Sequence, residues 1–277
     1  MTQLAMPRRA AGMQRASTPG RRHSVRTTAR VVARGALDAL WPLVALLVAW
    51  WLWVRLADLP PAVAPDPVDV MAYIASQPGG FALNAWHTVE VVLGGMLLGV
   101  AAGVLLASAS WFSTTAQAMI SGPVLLTQCL PVAVISPILA RVFGYNTSTI
   151  VIIAALIAFF PVMVFTTSGL LAVPTGSADL FTVLGATRWQ RFIRLAAPAA
   201  LPRTLVSLRL SVVAAVAGAM LAQWIMGTNG LGYRLIVAQV SYRTAEAWAC
   251  SAISIALSVV LFSLVSSLCR LASERFE

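Results

Sequence analysis

Glu90 is the one acid well inside an apolar run, HTVEVVLGGMLLGVAAG, and no further charge follows until Arg141. An ionisable group placed there is a functional candidate by default, though its position near the external end fits a water-exposed or paired structural role equally well. His87 lies three residues earlier on the same helical face and is its natural partner, but two such ligands are too few for a metal ion. Gln128 and Gln223 are neutral polar groups in apolar surroundings, suited to touching a solute or to bonding a neighbouring helix. The stretch GTNGLGY (227–233) should be an external loop whose glycines permit positive φ, but with no preceding strand and no lysine it cradles no phosphate. No nucleotide loop of the Walker type is present, and no paired aspartate, Ser-His or zinc-protease motif lies on an apolar segment. Nucleotide hydrolysis is therefore not expected of this chain, and an intramembrane enzyme is a weak alternative. Cys129, Cys250 and Cys269 are odd in number, far apart and set in apolar runs, so they read as packing residues. No cofactor and no metal are expected.

The other concentration of chemistry is basic. VLGATRWQRFIRLAAPAALPRTL (183–205) carries Arg188, Arg191, Arg194 and Arg203 with Pro198 and Pro202. Asp179 falls in the first turn of a helix after Pro174, where the helix dipole favours an anion, and Gly185 breaks that helix. Thr187 with Gln190 forms a capping-box pattern, so a second short helix starts at Arg188. Trp189, Phe192, Ile193 and Ala196 share one apolar stripe, the arginines fall off it, and Pro198 ends the helix. Such a helix lies parallel to a membrane. Its arginines either meet lipid phosphates, or the helix docks a cytoplasmic partner.

These groups need elements to hold them. The 277 residues are 59% hydrophobic and only 10% charged, with a mean hydropathy of +0.85, so the solvent is lipid. All basic residues are arginine, and eight of them precede residue 37 with no acid among them. That tail, 1–36, reads as a disordered basic cytoplasmic extension rather than a nucleic-acid surface, a transit peptide or a cleavable signal. The remainder, 37–277, reads as an all-α, polytopic transmembrane domain with about six spans, near 39–57, 83–107, 117–139, 149–171, 207–228 and 247–269, and a cytoplasmic loop over 174–204. Counting arginines with the N-terminus inside places fifteen in the cytoplasm against four outside. LPPAVAPDPVDVMAYI (59–74) reads as an extended external connection followed by a short interfacial helix. Gly95, Gly99 and Gly103 form a small-residue stripe for close helix packing, while Pro131 and Pro137 kink the third span. No internal repeat is visible, which argues against a self-sufficient carrier or channel, the main functional alternative.

The spacing of Asp179-Leu180-Phe181, Gly185, Leu195 and Ala197-Pro198 resembles the signature loop of permease subunits of ATP-binding-cassette importers, which runs Glu-Ala-Ala, three residues, Gly, nine residues, Ile, one residue, Leu-Pro. Together with QCLPVAVISPILARVFGYNTSTIVIIAALIAFFPVMVFTTSGL (128–170) and AQWIMGTNGLGYRL (222–235), it is similar to the nitrate, sulfonate and taurine branch, which includes transporters of pyrimidine thiamine precursors. The resemblance implies a type I importer permease fold in a bacterial cytoplasmic membrane. It implies a second permease subunit, a cytoplasmic ATPase dimer and an extracytoplasmic solute-binding protein as partners. It makes Asp179, Gly185, Ala186, Arg188, Trp189, Arg191, Phe192 and Pro198 the candidate ATPase-coupling residues, beside Glu90, Gln128 and Gln223 as candidates for the translocation pathway. The solute would be small: a sulfonate- or nitrate-like anion, or a pyrimidine. Where the family commonly has Ala-Glu before the Gly-Leu-Gly-Tyr turn, this chain has Ala222-Gln223.

Overall fold

A computed structural model of the chain describes residues 45–58, 60–129 and 131–274. The basic tail and the start of the first expected span lie outside the described residues. By internal contacts the chain divides into units 1–52 and 53–277. Of the first, only the opening of helix α1 (Ala45–Leu56) is described. Among the described residues every regular element is helical: α2 (Pro67–Ser76), α3 (Pro78–Phe112), α4 (Thr114–Cys129), α5 (Val132–Phe143), α6 (Thr147–Leu170), α7 (Thr175–Val183), α8 (Arg188–Arg191), a π turn (Phe192–Ala196), α9 (Ala197–Met226), α10 (Leu231–Val240) and α11 (Thr244–Ser273).

The core is α6 packed between α3 and α9. Ile150, Ile153, Ala154 and Ala158 of α6 meet Val91 and Val92 on one side and Val212, Ala215 and Ala219 on the other. Small residues bring these axes together. A methyl group at Gly99 would stand 2.6 Å from the Ala155 carbonyl oxygen, and one at Gly95 2.5 Å from the Ala154 Cβ. The glycine stripe therefore packs α3 directly on the α6 backbone, the way helices gain contact where lipid offers no hydrophobic drive. Ser211 donates to the Ala158 carbonyl at 3.1 Å, stitching α9 to α6 across the same interface.

Among the described residues, four helices are long and apolar enough to cross a membrane: α3, α6, the continuous run Arg188–Met226, and α11. The expected span at 117–139 divides into α4 and α5, because Pro131 has no N–H to continue α4 and instead takes the extended conformation that opens α5. Pro137 stays within α5. The connection over 59–74 ends in α2 as its sequence suggests. Pro67 opens the helix, and Asp66 caps it by accepting from the Val68 N–H at 3.0 Å. The turn at 227–233 is shorter than expected, since Leu231, Gly232 and Tyr233 already belong to α10.

Candidate functional site

The loop over 174–204 is built by local hydrogen bonds. Gly185 adopts φ 70°, where a side chain is strained. Its N–H bonds the Thr182 carbonyl at 3.0 Å, and the Ala186 N–H bonds that of Phe181 at 2.9 Å. This is the glycine-dependent Schellman closure of a helix. Two residues later the capping box forms: the Thr187 hydroxyl accepts from the Gln190 N–H at 3.2 Å, and the Gln190 side-chain oxygen accepts from the Thr187 N–H at 2.8 Å. The chain thus stops one helix and starts another within a few residues.

Pro198 does not end the new helix. The backbone widens over Phe192–Ala196, where the Ala197 N–H reaches back to the Phe192 carbonyl, and Pro198 then sits in the first turn of α9. The missing proline N–H falls at a position where the widened turn has already broken the usual bonding ladder, so the helix continues to Met226. The short amphipathic helix is the tip of a long one.

An aromatic cluster fixes that tip to the end of α3. Phe112 lies 4.9 Å from Phe192 and 5.9 Å from Trp189, ring centre to ring centre, and Trp111 lies 5.3 Å from Phe192. Arg188 Nη1 donates to the Phe112 carbonyl at 3.0 Å, and Arg191 Nη1 to the Thr182 hydroxyl at 3.1 Å. The expected stripe therefore splits. Phe192 and Ala196 turn inward onto Ala107, Leu170 and Ala200, while Trp189 and Ile193 are exposed. Like Trp189 (60% exposed), Val183 (85%) and Leu184 (71%) present apolar surface that no described residue covers. Asp179 and Arg194 are also exposed.

At the far end of α9, Gln223 is fully enclosed. Its side-chain oxygen accepts from the Thr88 hydroxyl at 3.0 Å and from the Gly232 N–H at 3.2 Å. Thr88 in turn accepts from the Leu231 N–H at 2.9 Å, and Asn84 from the Gly230 N–H at 3.0 Å. Three side chains thus take up the first N–H groups of α10, which a helix cannot satisfy itself. Gly230 caps α10 with φ 93°, and a methyl group there would meet the Gln223 amide. Gln128 falls in α4, and its side chain lies outside what the structure describes. Glu90 is half-exposed on α3, with the His87 ring nitrogen 3.4 Å away.

The sequence reading missed Glu246. This carboxylate is buried at the head of α11, accepting from Arg234 Nε at 2.7 Å, Arg243 Nη1 at 2.6 Å and the Tyr73 hydroxyl at 3.0 Å. Arg234 also donates to Gln77 at 2.8 Å and lies 3.8 Å over the Phe81 ring. Burial, then the Glu246 carboxylate, push the Tyr73 phenol above its ordinary value, so it remains a donor. The cluster ties α2, the start of α3, α10 and α11 together. Its one local signal was Arg243 preceding Glu246 by three residues at the start of an apolar run. Among the described residues no group of His, Cys, Asp and Glu suits a metal ion.

Residues 97–276 match the family described as binding-protein-dependent transport system inner membrane component. The chain is 31% identical to the formylaminopyrimidine transport permease protein ThiX of Halalkalibacterium halodurans, over 68% of this chain and 75% of that protein. It is 26% identical to the taurine transport system permease protein TauC of Escherichia coli, over 73% of this chain and 76% of that one. Its fold is similar to that in the crystal structure of an amino acid ABC transporter, with a TM-score of 0.59 at 20% identity, covering 74% of this chain and 98% of the other. An apolar helical bundle, a glycine-and-proline elbow at one end and a family match over most of its length agree. The chain belongs to the inner-membrane components of binding-protein-dependent transport systems and is a permease subunit of an ABC importer, a multi-pass membrane protein whose ATPase is a separate subunit.

Proposed function

We propose that the elbow at 174–204 is the element on which the separate ATPase acts, and that it lies on the cytoplasmic side together with the N-terminus. The aromatic cluster carries this reading. Trp189 offers an exposed ring to a partner on one side and stacks on Phe112 on the other. A displacement applied at the tip therefore reaches the end of α3 directly and, through Phe192 and Ala196, the end of α6. Asp179, Gly185, Ala186 and Pro198 shape the elbow, while Arg188 and Arg191 hold it to its own chain. The arginine excess on this side supports the orientation. The test is a Leu184→Cys chain, free of its native cysteines, cross-linked in membranes that contain the co-expressed ATPase. An ATP-sensitive cross-linked product is expected; an active importer that yields none refutes the docking.

The pathway lies between two copies of this chain, beside Glu90. Trp86, Glu90, Leu93 and Leu97 share one exposed face of α3. A carboxylate facing acyl chains is strongly unfavourable, whereas an aqueous passage between two subunits hydrates it. Carboxylates lining a passage repel an anion, which favours a neutral heteroaromatic solute of the pyrimidine class over nitrate or an alkanesulfonate. Uptake by the complete importer should be inhibited by formylaminopyrimidine and not by ethanesulfonate; the reverse order refutes this assignment. An external solute-binding protein delivers the solute on the α10 side.

A further inference from the structure

Behind α8 lies a cavity of about 460 Å³, bounded by the ends of α3 and α6, by α7 and by the π turn. Trp111, Leu170, Val173 and Leu195 make its apolar wall, and Arg188 and Arg191 its polar one. Among the described residues no carboxylate lines it; Asp179, next to the lining residue Ala178, is exposed and is not part of the wall. Both guanidiniums have donors to spare. Each gives one Nη1 bond to its own chain, to the Phe112 carbonyl and the Thr182 hydroxyl. The Arg191 Nε is buried with no acceptor among the described residues. A buried cationic donor without an acceptor is unfavourable, and here the exposed Arg188 and the half-buried Arg191 line one partly open pocket with no carboxylate among its described lining residues.

We propose that this cavity binds a phosphate group, held between Arg188 and Arg191. Planar guanidinium forks match phosphate oxygens in paired hydrogen bonds, and a tetrahedral oxyanion presents oxygens to both forks at once. The cavity exceeds what a bare phosphate fills, and its apolar wall receives the carbon skeleton of a phosphate ester. Trp111 and Trp189 place it at the depth of a membrane interface, where lipid phosphates are found. The phosphate group belongs either to a lipid headgroup or to a soluble phosphate, and the chemistry of the site is the same for both. Bound there, it bridges α8 to α7 and to the end of α3. The proposal does not depend on ATPase docking, because binding is measurable on this chain alone.

The full chain is purified in a maltoside detergent, which carries no phosphate. Phosphatidylglycerol is incorporated in one arm, with native mass spectrometry counting retained lipid. Inorganic pyrophosphate is titrated calorimetrically in the other. Retention in either arm or both supports the site and identifies the source. The Arg188→Gln/Arg191→Gln chain should bind at least about tenfold more weakly, the loss expected for charge-assisted hydrogen bonds. Ala178→Phe, which fills the cavity and leaves both charges, should do the same, and Arg270→Gln at the distant end of α11 should bind as wild type. Binding of neither probe overturns the proposal, as does undiminished binding by the Ala178→Phe chain.

Discussion

Replacing Glu246 with alanine tests the ion cluster at the head of α11. The Glu246 side chain is 4% exposed and that of Arg234 is 12% exposed, so Arg234 would be left as a buried cation. Breaking a buried pair from one side destabilises by about 3–5 kcal/mol. Arg243, 49% exposed, can turn toward water, which holds this loss near the lower bound of about 3 kcal/mol. The orphaned Tyr73 hydroxyl adds about 1 kcal/mol, for a total near 4 kcal/mol. Glu246→Gln keeps one acceptor without the charge and should lose about 2 kcal/mol. At about 2–4 °C per kcal/mol, thermal unfolding of the purified full chain in detergent should fall by roughly 8–16 °C for the alanine variant. A buried pair is little screened, so the fall should persist at high salt. A decrease under about 2 °C, or one that disappears in salt, refutes the reasoning that this cluster holds α2, α10 and α11 together.

Three further outcomes follow from the geometry. Gly230→Ala forces a side chain into φ 93° against the Gln223 amide and should lower folded yield by detergent-stable fluorescence chromatography, whereas Gly79→Ala, with open space at its Cβ, should leave it unchanged. Phe192→Ala empties a packed position and should destabilise by about 2 kcal/mol in thermal unfolding. Trp189→Ala, mostly exposed, should change stability by less than about 1 kcal/mol yet abolish ATP-driven uptake; equal effects of the two on stability would contradict the split stripe. Tyr73 has a folded pKa raised above its ordinary 10.0, so its contribution is complete below that value and is lost as pH rises through the folded pKa. Wild type should therefore lose thermal stability more steeply than Tyr73→Phe above about pH 10.

The elbow was legible because its determinants are adjacent in sequence. Gly185, Thr187 and Gln190 act through bonds spanning five residues or fewer, which composition and spacing can encode. Pro198 was misread because a proline ends a helix by default, and the π turn that accommodates it depends on Phe192 and Ala196 packing against α3 and α6, which no local pattern reveals. Gln223 was legible as a polar residue in apolar surroundings but not as the seat of α10, since its partner Thr88 is 135 residues away. Glu246 was passed over for a similar reason: its partner Tyr73 lies 173 residues earlier. The small-residue stripe on α3 was readable because period and residue size together specify close packing, and only its partner helix had to await coordinates.

The run Arg188–Met226 contains 39 residues without a break in helical backbone. At ~1.5 Å per residue it is roughly 58 Å long, about twice the ~30 Å thickness of a hydrocarbon layer. Set upright across such a layer, it would extend past both surfaces, with Trp189 near one tip and Gln223 near the other. A stiff rod held at its middle turns a sideways push at one tip into an opposite displacement at the other. A helix of this length is thus suited to carry a signal between the two faces as tilt rather than as a succession of rearranged contacts.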